Sequence, residues 1–164
     1  MKKIDFFLKT LIFLLLTPLF GTDVNFELDK IISDANKTNK QVILFLHKDG
    51  CGFCNKMVLN LEDSNISKAI DKDFIFVDIN RDRDETISFQ EYKGSSKKFL
   101  KKLEVDLYPT TLFLDNNSTF IYNIIGYRNK KVLLTTLKYI GSKSYIDKTF
   151  EEFEDELLGD DDEW

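Results

Sequence analysis

The sequence predicts an α/β fold in which a central mixed β-sheet is flanked by helices, and three observations carry that expectation. The run QVILFLH (41–47) is short, continuous and rich in β-branched and aromatic residues, which suits a strand buried on both faces, and FIFVDIN (74–80) reads as a second buried strand. Between them Met57, Val58, Leu61, Ile66, Ala69 and Ile70 recur at broadly helical spacing, which gives a strand–helix–strand unit. Farther on, TTLFL and TFIYNII are separated only by a tight turn, DNNS, so those two strands must be antiparallel neighbours and the sheet is mixed.

Taken in order, the chain opens with MKKIDFFLKTLIFLLLTPLFG, where Lys2, Lys3 and Lys9 precede an apolar run from Leu11 to Leu16 and a small residue at Gly21. This is the layout of a secretory signal peptide, residues 1–21, cleaved after about Gly21. The alternative, an uncleaved anchor, rests on the bulk of Leu19 at the third position before the cut. It is disfavoured because the run is shorter than the ~20 residues a membrane-spanning helix needs. Cleavage leaves 20 basic and 27 acidic residues, a formal charge of −7, which argues against nucleic acid or an anionic membrane as partner.

From Val24 to Asn39 the residues Phe26, Leu28, Ile31, Ile32 and Ala35 follow helical spacing, with Asp23 placed to cap the start. A break is expected in the helical segment after Cys54, near Asp63 to Asn65. RDRDETISFQEYKGSS reads as a charged insertion with a short extended piece at Thr86 to Tyr92, and SSKKFLKKLEV as a helix. After the two antiparallel strands, a helix from about Asn129 to Ile140 is stopped by Gly141. Beyond it, Ile146, Phe150, Phe153 and Leu157 form one apolar stripe on a last helix, read as packed on the domain because the stripe is too short for a coiled coil. Nine acidic residues and no basic one occupy Glu151 to Trp164, which is read as a solvated tail in preference to a docking surface.

Both cysteines lie in HKDGCGFC, directly after the first buried strand. With 43% hydrophobic residues and 15 Phe the chain can build a core without a staple, and a disulfide closing so small a loop would stabilise little. A structural zinc site wants four ligands, and only Cys51, Cys54 and His47 are good soft or imidazole donors, so no metal is expected. Covalent haem needs a histidine after the second cysteine, where Asn55 stands. Redox chemistry needs what is there. At the first turn of a helix the Cys51 thiolate is favoured by unpaired N–H groups and the helix dipole, and Cys54, three residues on, can resolve a mixed disulfide. Gly52, Phe53 and the neighbouring charges tune the potential. His47, the one histidine, reads equally as a thiolate-stabilising group or as a plain surface residue.

A buried strand, then CxxC at a helix start, then Tyr108-Pro109-Thr110 opening a later strand resembles the thioredoxin superfamily, over about Val24 to Ile140. The resemblance implies a thioredoxin fold across 22–141, followed by an amphipathic helix and acidic tail over 142–164. It also implies that Pro109 follows a cis peptide bond beside the cysteines, with Tyr108 and Thr110 lining a substrate groove. Proline alone makes a cis bond cheap, and its missing N–H leaves an edge for a substrate chain. Two departures from thioredoxin itself are visible: GCGFC replaces WCGPC, and Phe45 stands where a buried acid is usual. The insertion, GYRNKKVLLTTL and the exported context look more like periplasmic SoxW-type proteins, while CGFC is similar to the CGYC of bacterial disulfide isomerases.

The expected function is therefore an exported thiol–disulfide oxidoreductase with Cys51 as nucleophile and Cys54 as resolving thiol, leaning to reductase, and with no cofactor beyond its own disulfide. Its expected partners are cysteine-containing periplasmic proteins and a membrane or periplasmic partner that resets the pair, and a monomer is expected. The alternative is a non-catalytic module that uses the fold to hold a partner or a metal ion.

Overall fold

A computed structural model of the chain describes residues 24–159. The expected signal peptide and the last five residues of the acidic tail lie outside the described residues. The central sheet has four strands in the order β3-β2-β6-β7, where β2 is Gln41–His47, β3 Phe74–Asn80, β6 Thr110–Leu114 and β7 Phe120–Ile125. Strand β2 runs parallel to β3 and antiparallel to β6, and β6 is antiparallel to β7, so the sheet is mixed.

The pleat of β2 divides the core in two, because successive side chains leave a strand on opposite faces. Val42, Leu44 and Leu46 point into one cluster with Leu28, Ile32 and Ala35 of α1 (Leu28–Lys37) and Phe99 and Leu100 of α4 (Ser96–Lys102). Ile43 and Phe45 point into the other, with Met57 of α2 (Gly52–Leu61), Ile66 and Ile70 of α3 (Ser64–Asp73), and Leu133, Leu137 and Ile140 of α5 (Lys130–Gly141). A strand covered by helices on both sides has no use for polar positions, which is why its sequence reads as a continuous apolar run. Strand β3 differs from the expectation. It lies at the sheet edge, so Phe76 and Asp78 are exposed, while Val77 and Ile79 toward the first cluster and Phe74 and Asn80 at the two ends of the strand are buried.

Local signals set the helix ends. The Asp63 carboxylate accepts the Asn65 N–H and starts α3, which places the break between α2 and α3 in the expected segment. Asn129 Oδ1 accepts the Val132 N–H and starts α5. Gly141 does not stop that helix by adopting a left-handed conformation: it is the last helical residue, Ser142 is the cap, and the left-handed residue is Lys143 (φ 62°). Glycine is required at 141 for space instead, since a Cβ there would sit 2.9 Å from Asp73 Cβ and 2.8 Å from its Oδ2.

Three further expectations need correction. Residues Val24–Glu27 are not the first turn of a helix but a strand, β1, parallel to β4 (Glu85–Phe89), and the helix starts at Leu28. The presumed insertion is a β-hairpin, β4 and β5 (Tyr92–Ser95), which completes a separate three-stranded sheet with β1. Burial alternates along β4, so Ile87 and Phe89 reach the first cluster, and the Gln90 N–H donates to Asp29 Oδ2 at 2.7 Å, holding the hairpin on α1. Finally, the last helix, α6, spans Phe150–Gly159 and begins with a capping box between Thr149 and Glu152. Ile146 lies outside it, in a 3₁₀ turn, and is 66% exposed.

Candidate functional site

Strand β2 ends at His47, and the chain turns through Lys48, Asp49 and Gly50, whose φ of +66° favours a residue without Cβ. Cys51 then caps α2 in an extended conformation, and its Sγ accepts the Cys54 N–H at 3.1 Å. The two cysteines are joined as a disulfide. Cys54 is 1% exposed, whereas Cys51 is half-buried, so Cys51 is the sulfur that another molecule can reach. The helix start supplies the chemistry: a backbone donor already aimed at Sγ favours negative charge on that atom.

The loop is held from behind by polar side chains that the sequence reading did not single out. Asn80, buried at the end of β3, donates from Nδ2 to Asp49 Oδ1 at 2.8 Å and accepts the Asp82 N–H on Oδ1 at 2.9 Å. The Asp49 N–H donates to Asp82 Oδ2 at 3.2 Å, and the Asn80 N–H to Glu85 Oε2 at 3.1 Å. Glu85 is buried, and that burial raises its carboxyl above the ordinary range. On the other side, buried Asn60 of α2 donates to the Tyr127 hydroxyl at 3.2 Å and the Arg128 carbonyl at 2.8 Å, tying the cysteine helix to the segment after β7. A single sequence gives such residues no mark, because their partners lie far along the chain.

The Tyr108–Pro109 peptide is cis. Thr110, which follows, pairs with Leu46 of β2, so the proline and the cysteine loop lie at the same end of the sheet. Pro109 is buried and its carbonyl accepts the Gly126 N–H at 2.8 Å. Thr110 Oγ1 donates to the Leu107 carbonyl at 2.7 Å, so its hydroxyl is already engaged within the segment, although the residue borders a depression beside Leu107 and Ile125. The Tyr108 hydroxyl donates to the Val105 carbonyl at 3.0 Å, and Lys48 Nζ stands 5.6 Å from the centre of its ring, a direct contact between the two loops. Burial pushes the Tyr108 phenol up, with Arg81 acting in the opposite sense.

Among the tuning candidates, Phe53 is 61% exposed and its ring lies 6.5 Å from that of Tyr127. A Cβ on Gly52 would meet open space, so packing does not demand glycine there. The His47 ring stacks on Phe45 at 5.2 Å, and its Nε2 lies 2.6 Å from Asp78 Oδ1, a close contact that lacks hydrogen-bond geometry. No hydrogen bond joins it to either sulfur among the described residues. Phe45 itself is fully buried against Phe76 and the second cluster. Among the described residues no three His, Cys, Asp or Glu side chains are grouped to hold a metal ion.

The family described as thioredoxin-like domain matches residues 28–141. No curated protein matches the sequence. Among solved structures, a thioredoxin-fold protein from Helicobacter pylori superposes with a TM-score of 0.61 at 23% identity, covering 74% of this chain and 82% of that one. A thioredoxin from Thermus thermophilus gives 0.56 at 17% identity, covering 73% and 87%. A DsbH oxidoreductase gives 0.52 at 14% identity, covering 77% and 89%. At these identities the likenesses establish the fold.

Proposed function

The chain belongs to the thioredoxin-like family, and from that premise we propose that it is an exported thiol–disulfide oxidoreductase acting on cysteine-containing proteins of the periplasm. The observation that carries this reading is the Cys51–Cys54 disulfide at the start of α2, at the sheet end where Pro109 lies. In the reducing direction the Cys51 thiolate attacks one sulfur of a substrate disulfide. A Cys51–substrate S–S bond forms, the substrate S–S bond breaks, and the departing thiolate takes a proton. Cys54 then loses its proton and attacks Cys51 Sγ, which re-forms the internal disulfide and releases the second substrate thiol. Two electrons and two protons pass to the substrate, and a membrane or periplasmic dithiol partner returns them to the pair. Pro109, Tyr108 and Thr110 shape the groove in which the substrate chain lies, and Gly52 and Phe53, between the two cysteines, tune the pair. Sequence features in common with SoxW-type proteins support the reductase direction and the exported setting, and the protein works as a monomer.

The first experiment equilibrates the mature domain with glutathione or dithiothreitol buffers and counts free thiols. A potential near the thioredoxin value of about −270 mV supports the reductase, and one near the DsbA value of about −120 mV overturns that direction in favour of disulfide donation. Cys51→Ser must abolish exchange. Exchange at the parental rate by that variant overturns the enzyme assignment and leaves the binding module standing.

A further inference from the structure

Beside the cysteine loop the surface is indented by a pocket lined by Lys48, Arg81, Lys97, Lys101, Asp106 and Tyr108. Four cations meet there with a single carboxylate, in a chain whose formal charge is −5. Among the described residues Lys48, Lys97 and Lys101 form no ion pair, and Arg81 approaches Asp82 only to 3.7 Å. Like charges gathered in a concavity repel one another and focus a positive potential, and both conditions favour an anion. Lysine and arginine donors hold carboxylates by charge-assisted hydrogen bonds.

The position of the pocket says which molecule carries the anion. Its wall is shared with the exchange site: Lys48 precedes Cys51 by three residues, a span of at most about 11 Å, and its Nζ lies 5.6 Å from the ring centre of Tyr108, the residue before Pro109. Acidic side chains within a few residues of a substrate cysteine would therefore reach the cations while the sulfur is at Cys51. The four cations come from three separate elements, the turn after β2, the segment after β3, and α4, and against the single carboxylate of Asp106 they leave positive charge for more than one acidic side chain, which suits a short acidic segment. The chain's own carboxylates from Glu151 to Glu156 stand on α6, whose Phe150 and Phe153 pack on the second cluster, whereas Val105 and Tyr108 of the pocket pack on the first, so these carboxylates are not the occupant.

We propose that the pocket formed by Lys48, Arg81, Lys97 and Lys101 is a specificity subsite that selects protein substrates carrying acidic residues beside the reacting cysteine. The proposal rests on the thiol-exchange reading for its kinetic form, and a binding measurement tests it independently. Exchange is followed with two disulfide-bearing peptides of equal length, one flanked by glutamates and one by glutamines, and with glutathione disulfide. The expected result at low salt is a preference of about tenfold in kcat/KM for the glutamate peptide, the worth of two or three partly exposed charge pairs, shrinking in 0.5 M salt. Lys97→Glu/Lys101→Glu brings that ratio near one, while Lys131→Glu/Lys138→Glu on α5, with the same change in net charge, keeps it. Equal ratios in the two double variants overturn the subsite. A loss on glutathione disulfide as large as on the glutamate peptide overturns the protein segment as its ligand. If no peptide is exchanged, the enzyme reading has failed. Fluorescence anisotropy of a glutamate peptide with serine for cysteine then decides the subsite alone: binding that needs Lys97 and Lys101 supports it, and no such binding overturns it.

Discussion

Glu85 is a carboxyl placed where its charge is unfavourable. It is 4% exposed, and its Oε2 accepts the Asn80 N–H, but burial dominates and raises its pKa above the ordinary glutamate value of 4.5. The sign of the stability effect follows from proton counting. Below the ordinary value both folded and unfolded chains hold the proton; as the pH rises toward the raised folded value the unfolded chain has lost it first, so stability falls across that window. Glu85→Gln keeps an acceptor for Asn80 and removes the titration. Urea unfolding from pH 4 to 7 should show the variant gaining on the parent as the pH rises, and parallel curves would contradict this account. At this scale the sequence was legible where chemistry is local. Cys51, Cys54 and Pro109 carry their meaning in a few neighbouring residues, whereas Asn60, Asn80 and Glu85 look like ordinary surface residues until the fold supplies partners. Asn60 is the plainest case, bonded to a residue 68 positions away. His47 stood between two readings, and its stack on Phe45 and contact with Asp78 give it neighbours the sequence did not indicate.

Elements were legible according to how much of their cover is sequence-local. The strand β2 announces itself, because burial on both faces leaves no polar position in its inner part. β1 and the β4–β5 hairpin do not, since β1 has four residues, its partner Glu85 is 61 positions beyond Val24, and Ile87 and Phe89 are embedded among charged residues. The start of α6 was available in the Thr149–Glu152 capping box, a stronger signal than the apolar stripe that drew in Ile146. Gly141 shows the limit of reading glycine as a helix stop, because its role is the contact between α5 and α3. Replacing a helical glycine by alanine ordinarily stabilises by about 1 kcal/mol. Here the new methyl would lie 2.9 Å from Asp73 Cβ, which no rotamer change can move, so Gly141→Ala should destabilise by about 1–3 kcal/mol in denaturant unfolding. A stabilised variant would show that the two helices part without cost.

Across the whole molecule, the cysteine loop and the acidic helix α6 are kept apart. The cysteine loop, Pro109 and the cationic pocket share the end of the sheet where β2 stops and β6 begins, and the pocket borders the first cluster. Helix α6 rests on the second, where Phe150 and Phe153 surround Tyr139 at 5.5 and 5.3 Å between ring centres. Nine of the chain's 28 acidic residues follow Phe150. Ending the chain at Lys148 removes all nine but keeps the bond from the Tyr139 hydroxyl to the Lys148 carbonyl. Two half-buried phenylalanines and the uncovered face of Tyr139 correspond to about 2–3 kcal/mol, which denaturant unfolding should register as a lower midpoint. The potential of the Cys51–Cys54 pair should not follow. Exposed carboxylates are screened within about 8 Å at physiological ionic strength, and α6 packs around Tyr139 next to Tyr145, whose hydroxyl accepts from Gln41 Nε2 at the start of β2, the end of the strand opposite the cysteine loop. Were their field felt at Cys51, deletion would favour the thiolate, stabilise the reduced pair and raise the potential. A rise of about 30 mV, equivalent to about 1.4 kcal/mol, in the shortened chain would therefore show that the acidic segment restrains the thiol chemistry, and an unchanged potential would assign it to stability alone.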